Sequence, residues 1–398
     1  MDEHATTPGR MIVALAPPVM LAGVSAGMAF PILPSVGMRV GLPVAFIGLV
    51  LAANRIVRVL VSPSVGSLID RFGGRRAMIA GLLLQAAGMI AFVFGVTTAY
   101  PGTFFLVGRV LHGMGGAGVF IAAQALALHG GGPTHAGRVA GAVRAAIQLG
   151  VPIGLVSAGF LADLSNEVVT FAAGAAGVAL SAITTFALVP DLRVQAAPRT
   201  PVVRALREMA NARLAALGAL GFASAFAGSG VVLTTVALLV HVERLSAFGL
   251  PERATSSVLM GWLVVTEAAA MPWLGRLGDK KDVHAEVALA GLLFTIPGLV
   301  VLAFAVRVPT VALGMGILGV GVAGMGPSLL ALLGRIVPPE RRGLGIGALQ
   351  VASDIGGALG PLAGSALFAG SLATPYLVAA AVNALLLPFG WSLVRRTR

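Results

Sequence analysis

Six polar side chains stand inside otherwise apolar runs in the first half of the chain: Asn54, Arg55, Arg58, Arg109, Arg144 and Gln148. Helical spacing places Arg58 one turn after Asn54, with Arg55 beside them, and places Gln148 one turn after Arg144. A guanidinium group forms strong, charge-assisted hydrogen bonds with carboxylates and phosphates. The pattern predicts either a binding site for a small anion or a set of structural ion pairs between helices.

The second half of the chain places carboxylates in such runs. Glu267 follows the apolar segment WLVVT, and Asp354 comes one turn after Gln350. A carboxylate that is surrounded by apolar groups can take up and release a proton, so Glu267 and Asp354 are candidate proton carriers. An offset of 209 residues relates Glu267 to Arg58, and these two side chains could face each other. The alternative is again a structural ion pair.

Several kinds of chemistry are excluded by what the sequence lacks. There is no cysteine, which excludes disulfides and thiolate metal sites. No His-Glu-x-x-His segment, metal-ligand cluster or Gly-x-x-x-x-Gly-Lys-Ser/Thr phosphate loop occurs. We therefore expect no metal, no cofactor, no direct use of ATP and no enzymatic activity. The four histidines that lie at helix ends are predicted to be solvated surface groups: His129, His135, His241 and His284.

The elements that hold these residues are membrane-spanning helices. Of the 398 residues, 57% are hydrophobic and 11% are charged, whereas a soluble domain has about 25% charged residues. A helix needs about 20 apolar residues to cross a bilayer. Twelve runs reach this length, at approximately 11–34, 44–69, 77–97, 102–128, 136–161, 167–189, 213–241, 255–274, 284–306, 309–334, 343–369 and 372–394. The alternating segments of a β-barrel are absent. The chain is therefore predicted to be an all-α integral membrane protein with twelve spans.

The positive charges are distributed unequally between the two sets of connections. With twelve spans, one set of loops and tails holds nineteen of the 27 lysines and arginines, the opposite loops hold four, and four lie inside spans. Basic loops stay in the cytoplasm, which places both termini and the 190–212 connection there. The net charge of +12 is thus a signal of topology, and a nucleic-acid partner is not expected.

The two halves of the chain repeat each other. The segment 66–84 aligns with 275–293, so that Gly66 matches Gly275 and Asp70 matches Asp279, and GMGGAG at 113–118 matches GVGVAG at 319–324. The repeat predicts a six-helix bundle at 1–189, a cytoplasmic linker at 190–212 and a second bundle at 213–398. A parallel repeat of this kind is typical of transporters whose substrate site lies between the halves near the midplane.

Three motifs resemble those of the major facilitator superfamily. GSLIDRFGGRR at 66–76 resembles the signature G-x-L-x-D-R-x-G-R-R, with one extra residue, Gly74. The span 4 segment from Arg109 to Gly116 resembles a second motif, an arginine followed by a glycine-rich helix. The third, Gly-Pro-x-x-Gly-Gly in span 5 of exporters, is only partly present in GVPIGLVSAG at 150–159, which argues against a direct assignment to drug/proton antiporters. The match is closer in LGPLAG at 359–364 of span 11.

The signature loop and its repeat also predict a gate. A carboxylate at the end of span 2 can pair with the arginines after it or with a neighbouring helix N-terminus. Such a cluster can hold one conformation closed on the cytoplasmic side, and the alternative is that these charges only set topology. The residues expected to act in gating are Gly66, Asp70, Arg71, Arg75, Arg76, Gly275 and Asp279.

These patterns, with the resemblance, predict a secondary active transporter that works by alternating access. The arginines of the first half favour a small organic anion, because they repel cations, and the acids of the second half favour proton coupling or another coupling ion. The alternative is a drug or metabolite:proton antiporter that exports a hydrophobic or amphiphilic compound. A non-transporting receptor or enzyme is a remote alternative. The protein is expected to be a monomer in the plasma membrane or bacterial inner membrane.

Overall fold

A computed structural model of the chain describes residues 8–130, 132–192, 212–337 and 342–397. Within these ranges, the side chains at 63, 66, 67, 70, 132–138, 342–344 and 396–397 lie outside the description. The described residues form helices joined by short turns, without a strand. Twelve of the helical segments are long and apolar enough to cross a membrane, which confirms the predicted all-α fold.

Ten spans are single helices. Spans 1 to 6 are Pro8–Arg39, Val44–Phe72, Gly74–Thr97, Pro101–Gly130, Gly132–Leu164 and Glu167–Leu188, and spans 8 to 11 are Glu252–Lys281, His284–Ala303, Val308–Ile336 and Arg342–Phe368. Spans 2 and 3 are separated by Gly73 alone, whose φ of +84° is a conformation that glycine adopts without steric cost. The signature loop is therefore a one-residue turn between two long helices.

The other two spans are composite. Span 7 consists of an α-helix, Ala212–Ala225, a π-helical turn, Phe226–Val232, and a second α-helix, Leu233–Val242. Span 12 consists of Thr374–Leu385 and Leu387–Thr397, with a break at Leu386. A π-helical turn inserted in an α-helix is uncommon and is frequently found at functional sites.

The chain divides into two compact units. The first contains Met1–Leu42 and Ile56–Arg199, and the second contains Pro43–Arg55 and Thr200–Arg398. The first part of span 2 thus packs with the second unit, although it belongs to the first predicted bundle by its position in the sequence. Most of the predicted linker, at 193–211, lies outside the described residues.

The internal repeat reappears as repeated helix packing within each unit. In the first unit, a Cβ added to Gly81 of span 3 would lie 2.7 Å from the carbonyl oxygen of Gly115 in span 4. In the second unit, a Cβ added to Gly291 of span 9 would lie 2.5 Å from the carbonyl oxygen of Gly321 in span 10. Helices in a membrane associate closely through such small residues. The glycines of the two repeated motifs therefore allow the same close contact between neighbouring helices in both units.

Candidate functional site

An ion pair inside the second unit joins two of the predicted site residues. The Arg55 guanidinium of span 2 donates to the Asp354 carboxylate of span 11 at 2.9 Å. Asp354 is buried and Arg55 is half-buried. A charge near the centre of a membrane helix costs about 2.5–3.5 kcal/mol, so each of these groups needs a partner. The structural alternative that the sequence left open, an ion pair between helices, is the arrangement found for this pair.

Two neutral side chains hold the pair in place. Ser229, in the π-helical turn of span 7, donates its hydroxyl to the Ala225 carbonyl at 3.2 Å and accepts a second Arg55 hydrogen bond at 3.3 Å. The Gln350 amide donates to the Asp354 carboxylate at 3.3 Å. Ser229 is not among the predicted site residues, although it stands in Gly228-Ser229-Gly230, a stretch of small residues at which a helix can become irregular.

Span 2 contacts span 11 at Arg55 and again nearer to the start of span 2, at Gly48. A Cβ on Gly357 would lie 3.2 Å from the Arg55 guanidinium carbon. One on Gly48 would clash with the hydroxyl of Ser365 and lie 2.5 Å from the Pro361 carbonyl oxygen. Gly48 and Ser365 are also absent from the predicted site. Their role depends on which helix lies opposite, and one sequence alone carries no sign of that.

The depth of the pair follows from helix geometry. Arg55 comes eleven residues after the start of span 2 at Val44, which is about 17 Å along the helix. Asp354 comes fourteen residues before the end of span 11 at Phe368, which is about 21 Å. In a hydrocarbon layer about 30 Å thick, both groups lie near the middle of their spans.

Arg109 and His112 of span 4 lie in the interior of the first unit. Arg109 is 1% exposed, and its guanidinium carbon lies 5.0 Å from the ring centre of Phe30 and 5.8 Å from that of Phe92. Cation–π contacts of this kind stabilise a desolvated guanidinium. His112, one turn further on, is also buried. Arg109 is therefore enclosed by protein, and its predicted role as a substrate ligand stays a prediction.

Arg144 and Gln148 have the opposite environment. Both side chains are exposed, one turn apart on span 5, and a Cβ on nearby Gly141 would meet nothing within 4 Å. Arg144 comes twenty residues before the end of the span at Leu164, or about 30 Å along the helix. This face of span 5 is open. In the apolar part of the helix, Val139–Leu164, Arg144 lies five residues, or about 8 Å, from the end that is predicted to be cytoplasmic.

The remaining candidates inside spans are half-buried. Asn54 and Arg58 of span 2 lie on the two sides of the boundary between the units, because Ile56 begins the span 2 portion of the first unit. Glu267 lies fifteen residues into span 8, about 22 Å along the helix. Its backbone nitrogen would lie 3.2 Å from a Cβ on Gly319 of span 10. Their predicted roles in binding and proton coupling stay predictions.

The predicted gating residues are only partly described. Gly66 and Asp70 fall on positions whose side chains lie outside the described residues. Arg75 pairs with Asp191, just after span 6, at 3.2 Å. The gating role of these residues stays a prediction. The remaining arginines of the loop, Arg71 and Arg76, are exposed.

The repeat of the signature loop has its own contacts in the second unit. The Asp279 carboxylate accepts a hydrogen bond from Nε2 of the His284 imidazole at 3.0 Å, and a Cβ added to Gly275 would lie 3.7 Å from the Cβ of Pro327. His284 is 3% exposed, so its prediction as a solvated group is wrong: the helix end that carries it packs against Gly278. His129 and His241 are exposed as predicted, and the side chain of His135 lies outside the described residues.

The described residues contain no cluster of side chains that could bind a metal ion. There, no group of three or more histidine, aspartate or glutamate side chains gathers in a way that could hold an ion. The chemical resources of the described spans are therefore arginines, two intramembrane carboxylates and neutral polar side chains. Such groups can bind a charged solute or a proton.

Comparison with known proteins places the chain among transporters. The family model described as Major Facilitator Superfamily matches residues 16–264 and 220–398. The chain is 24% identical over 388 residues to the multidrug resistance protein MdtH of Aeromonas salmonicida, covering 95% of this chain and 92% of that protein. It is 25% identical over 386 residues to the class C tetracycline resistance protein of Escherichia coli, covering 93% of each.

Solved structures share the fold over nearly the whole chain. A bacterial homolog of the human lysosomal transporter Spinster, in an inward-facing and unoccupied conformation, has a TM-score of 0.80 and 16% identity, covering 99% of this chain and 98% of that one. The human organic anion transporter MFSD10 has a TM-score of 0.71 and 17% identity, covering 96% and 99%. At these identities the similarity establishes the fold.

Proposed function

We propose that this chain, which belongs to the major facilitator superfamily and is a multi-pass transporter of the cell membrane, moves a small organic anion. Transport proceeds by alternating access and is coupled to protons. The observation that carries the substrate class is the open face of span 5, where Arg144 and Gln148 are exposed one turn apart. The protein is not an enzyme, and the energy for accumulation comes from the proton gradient.

The cost of an exposed charge within a span favours an anion as the substrate. A guanidinium cannot face hydrocarbon without a penalty of kilocalories, so an exposed arginine within a span faces water or a counter-ion. Arg144 lies near the predicted cytoplasmic end of its span, and Arg58 of the same unit lies about 21 Å from the opposite end of span 2. Two cationic groups at different depths attract an anion along its path and repel cations.

The acids of the second unit favour proton coupling. Glu267 and Asp354 lie at similar depths, about 22 Å and 21 Å from one end of their helices. A carboxylate at this depth can become neutral by binding a proton, which removes the cost of its charge. Proton uptake therefore changes the electrostatics of the second unit while the anion is held by arginines of the first.

Flux into proteoliposomes tests the proposal. With an imposed pH gradient, we expect saturable uptake and counterflow of radiolabelled aromatic carboxylates, and loss of accumulation when a protonophore collapses the gradient. Liposomes without protein are the control. Absence of carboxylate flux by a protein that transports other solutes would contradict the proposed substrate class.

Export of amphiphilic compounds is the second candidate. It is favoured by the two relatives named for multidrug and tetracycline resistance, each matched over more than nine-tenths of this chain. It is also favoured by the burial of Arg109 and the pairing of Arg55, which reduce the positive charge available to an anion. In the same proteoliposomes, saturable flux of ethidium without carboxylate flux would support this candidate over the first.

The proposal also assigns a gating role to the signature loop and an orientation to the chain in the membrane. Asp70 and the arginines after it act as a cytoplasmic gate, while Asp279 is the weaker equivalent in the second half. Both termini and the 190–212 connection lie in the cytoplasm, as the excess of arginine and lysine in those segments supports. Because the chain lacks cysteine, single cysteines introduced in loops and labelled from each side of the membrane test this topology directly.

A further inference from the structure

The second half of span 12, Leu387–Thr397, has two different faces. Its inner face is packed within the second unit, where Leu393 and Val394 are buried. A Cβ added to Gly390 would lie 2.9 Å from the side chain of Leu289 in span 9, so the two helices touch closely there. This packing fixes which side of the helix is turned outward.

An aromatic ring and a guanidinium stand together on the outer face. Trp391 is 52% exposed, Arg395 is exposed one turn further on, and the Arg395 guanidinium carbon lies 5.7 Å from the centre of the Trp391 ring. Trp391 lies about 9 Å from the end of the helix at Thr397, and Arg395 lies about 3 Å from it. Tryptophan is enriched where hydrocarbon meets lipid headgroups. The ring therefore suits that boundary, and the guanidinium beyond it suits the level of the phosphates.

A second arginine lies at the same end of the unit. Arg213 is exposed at the start of span 7, one turn before Leu217. Leu217 belongs to the same buried cluster as Leu393 and Val394 of span 12, so the two spans pack together near this end. Among the described residues, neither Arg213 nor Arg395 forms an ion pair with a carboxylate. Two guanidinium groups are therefore available to an anion from outside the protein.

We propose that this end of spans 7 and 12 binds an anionic phospholipid, whose phosphate is held by Arg395 with Arg213 as the second cation. A guanidinium presents its donors in a planar fork that matches the oxygens of a phosphate. Both arginines lie at span ends that are predicted to be cytoplasmic, and the cytoplasmic leaflet is the one that carries anionic lipids. The lipid thereby ties the last helix of the chain to the first span of the second unit.

The surroundings of the arginines distinguish a lipid from other anions. Phe389 and Trp391 are about half-exposed on the outer face below Arg395, where acyl chains can pack on them. Inorganic phosphate has no such chains and gains nothing from these rings. A zwitterionic phospholipid carries a cation beside its phosphate, which the two arginines repel. The site should therefore prefer phosphatidylglycerol to phosphatidylcholine.

The fluorescence of Trp391 can report which lipid is bound. The chain has three tryptophans, so Trp262→Phe with Trp273→Phe leaves Trp391 alone. We would reconstitute this full-length protein in mixtures of phosphatidylglycerol and phosphatidylcholine, with bromine on the acyl chains of one lipid or the other, since bromine quenches tryptophan on contact. Phosphatidylglycerol should bind beside Trp391 at least about fivefold more tightly, because each arginine near the surface contributes about a factor of five.

A second protein reports lipid that is not at the site. It retains Trp262 alone, which is half-exposed on span 8, about 15 Å along the helix from Glu252. The preference measured there should be near one. Equal quenching of Trp391 by the two brominated lipids would overturn the proposal.

Substitution of the arginines separates a site from general attraction to a charged membrane. Arg395→Ala should remove most of the preference at Trp391, Arg213→Ala should reduce it, and Arg395→Lys should give an intermediate value because lysine lacks the planar fork. The matched control is Arg335→Ala, which removes the same charge from an exposed arginine at the end of span 10 that pairs with Asp282. This control should retain the preference. Equal losses in Arg395→Ala and Arg335→Ala would refute the site.

Two further measurements keep the test decisive. Excess inorganic phosphate should not displace brominated phosphatidylglycerol, and displacement would overturn the assignment to a lipid. If the protein with Trp391 alone does not reconstitute, thermal unfolding of the chain with its native tryptophans replaces quenching. Phosphatidylglycerol should then raise the unfolding temperature in detergent more than phosphatidylcholine does, and Arg395→Ala should abolish the difference. An unchanged difference in Arg395→Ala would refute the site.

Discussion

Replacing Arg144 by alanine should weaken anion binding without reducing stability. The side chain is exposed on span 5, so its removal takes away few packing contacts. A hydrogen bond to a charged group contributes about 1.5–3 kcal/mol. Since about 1.4 kcal/mol corresponds to a factor of ten in affinity, the loss should be roughly ten- to hundredfold. Lysine keeps the charge but loses the planar fork, so Arg144→Lys should bind with intermediate affinity.

The assay combines counterflow in proteoliposomes with thermal unfolding in detergent. Affinity for the transported carboxylate is measured by the concentration that half-saturates counterflow, and unfolding is followed by the fluorescence of the native tryptophans. The matched control is Arg276→Ala, which removes another exposed arginine, near the end of span 8, and should leave affinity unchanged. Full affinity in a folded Arg144→Ala protein, or an equal loss in the control, would refute the assignment.

Three further outcomes are expected. Asp70→Asn should reduce transport strongly in a protein that still inserts and folds, with a milder effect for Asp279→Asn, and wild-type flux in well-expressed Asp70→Asn would contradict the gate. Glu267→Gln should abolish pH-driven accumulation while exchange continues, because the amide mimics a permanently protonated acid; accumulation that survives would place the coupling elsewhere. Gly81→Ala should destabilise the first unit by about 1–3 kcal/mol in thermal unfolding, since its Cβ would press on span 4, whereas Gly177→Ala, with nothing within 4 Å, should not.

The twelve spans could be predicted because hydrophobic length is a local property. Each helix must satisfy its own backbone hydrogen bonds in hydrocarbon, so a run of about 20 apolar residues specifies a span whatever its neighbours are. The all-helical fold, the number of spans and the family signature at 66–76 follow from such local patterns. The composite form of spans 7 and 12 was not predicted, although Gly228-Ser229-Gly230 in span 7 and Pro388 in span 12 are residue types at which helices become irregular.

The repeat carried tertiary information as well. GMGGAG and GVGVAG mark the places where span 4 meets span 3 and where span 10 meets span 9, since only glycine permits the close approach of two backbones there. Small residues at helical spacing thus predict that a close contact exists. They do not name the partner helix, which is known only from the structure.

The roles of the intramembrane charges were decided by tertiary structure. From its sequence, Arg55 cannot be distinguished from Arg58 or Arg109, since each is an arginine in an apolar helix. Folding places Arg55 beside a carboxylate 299 residues away, and it places Arg109 5.0 Å and 5.8 Å from the centres of two aromatic rings. The sequence by itself determined that the membrane contains arginines and acids that need partners, because burying a charge is costly anywhere in hydrocarbon. Which partner each one has depends on helix packing, because a charge interacts with what is near it in space and not along the chain.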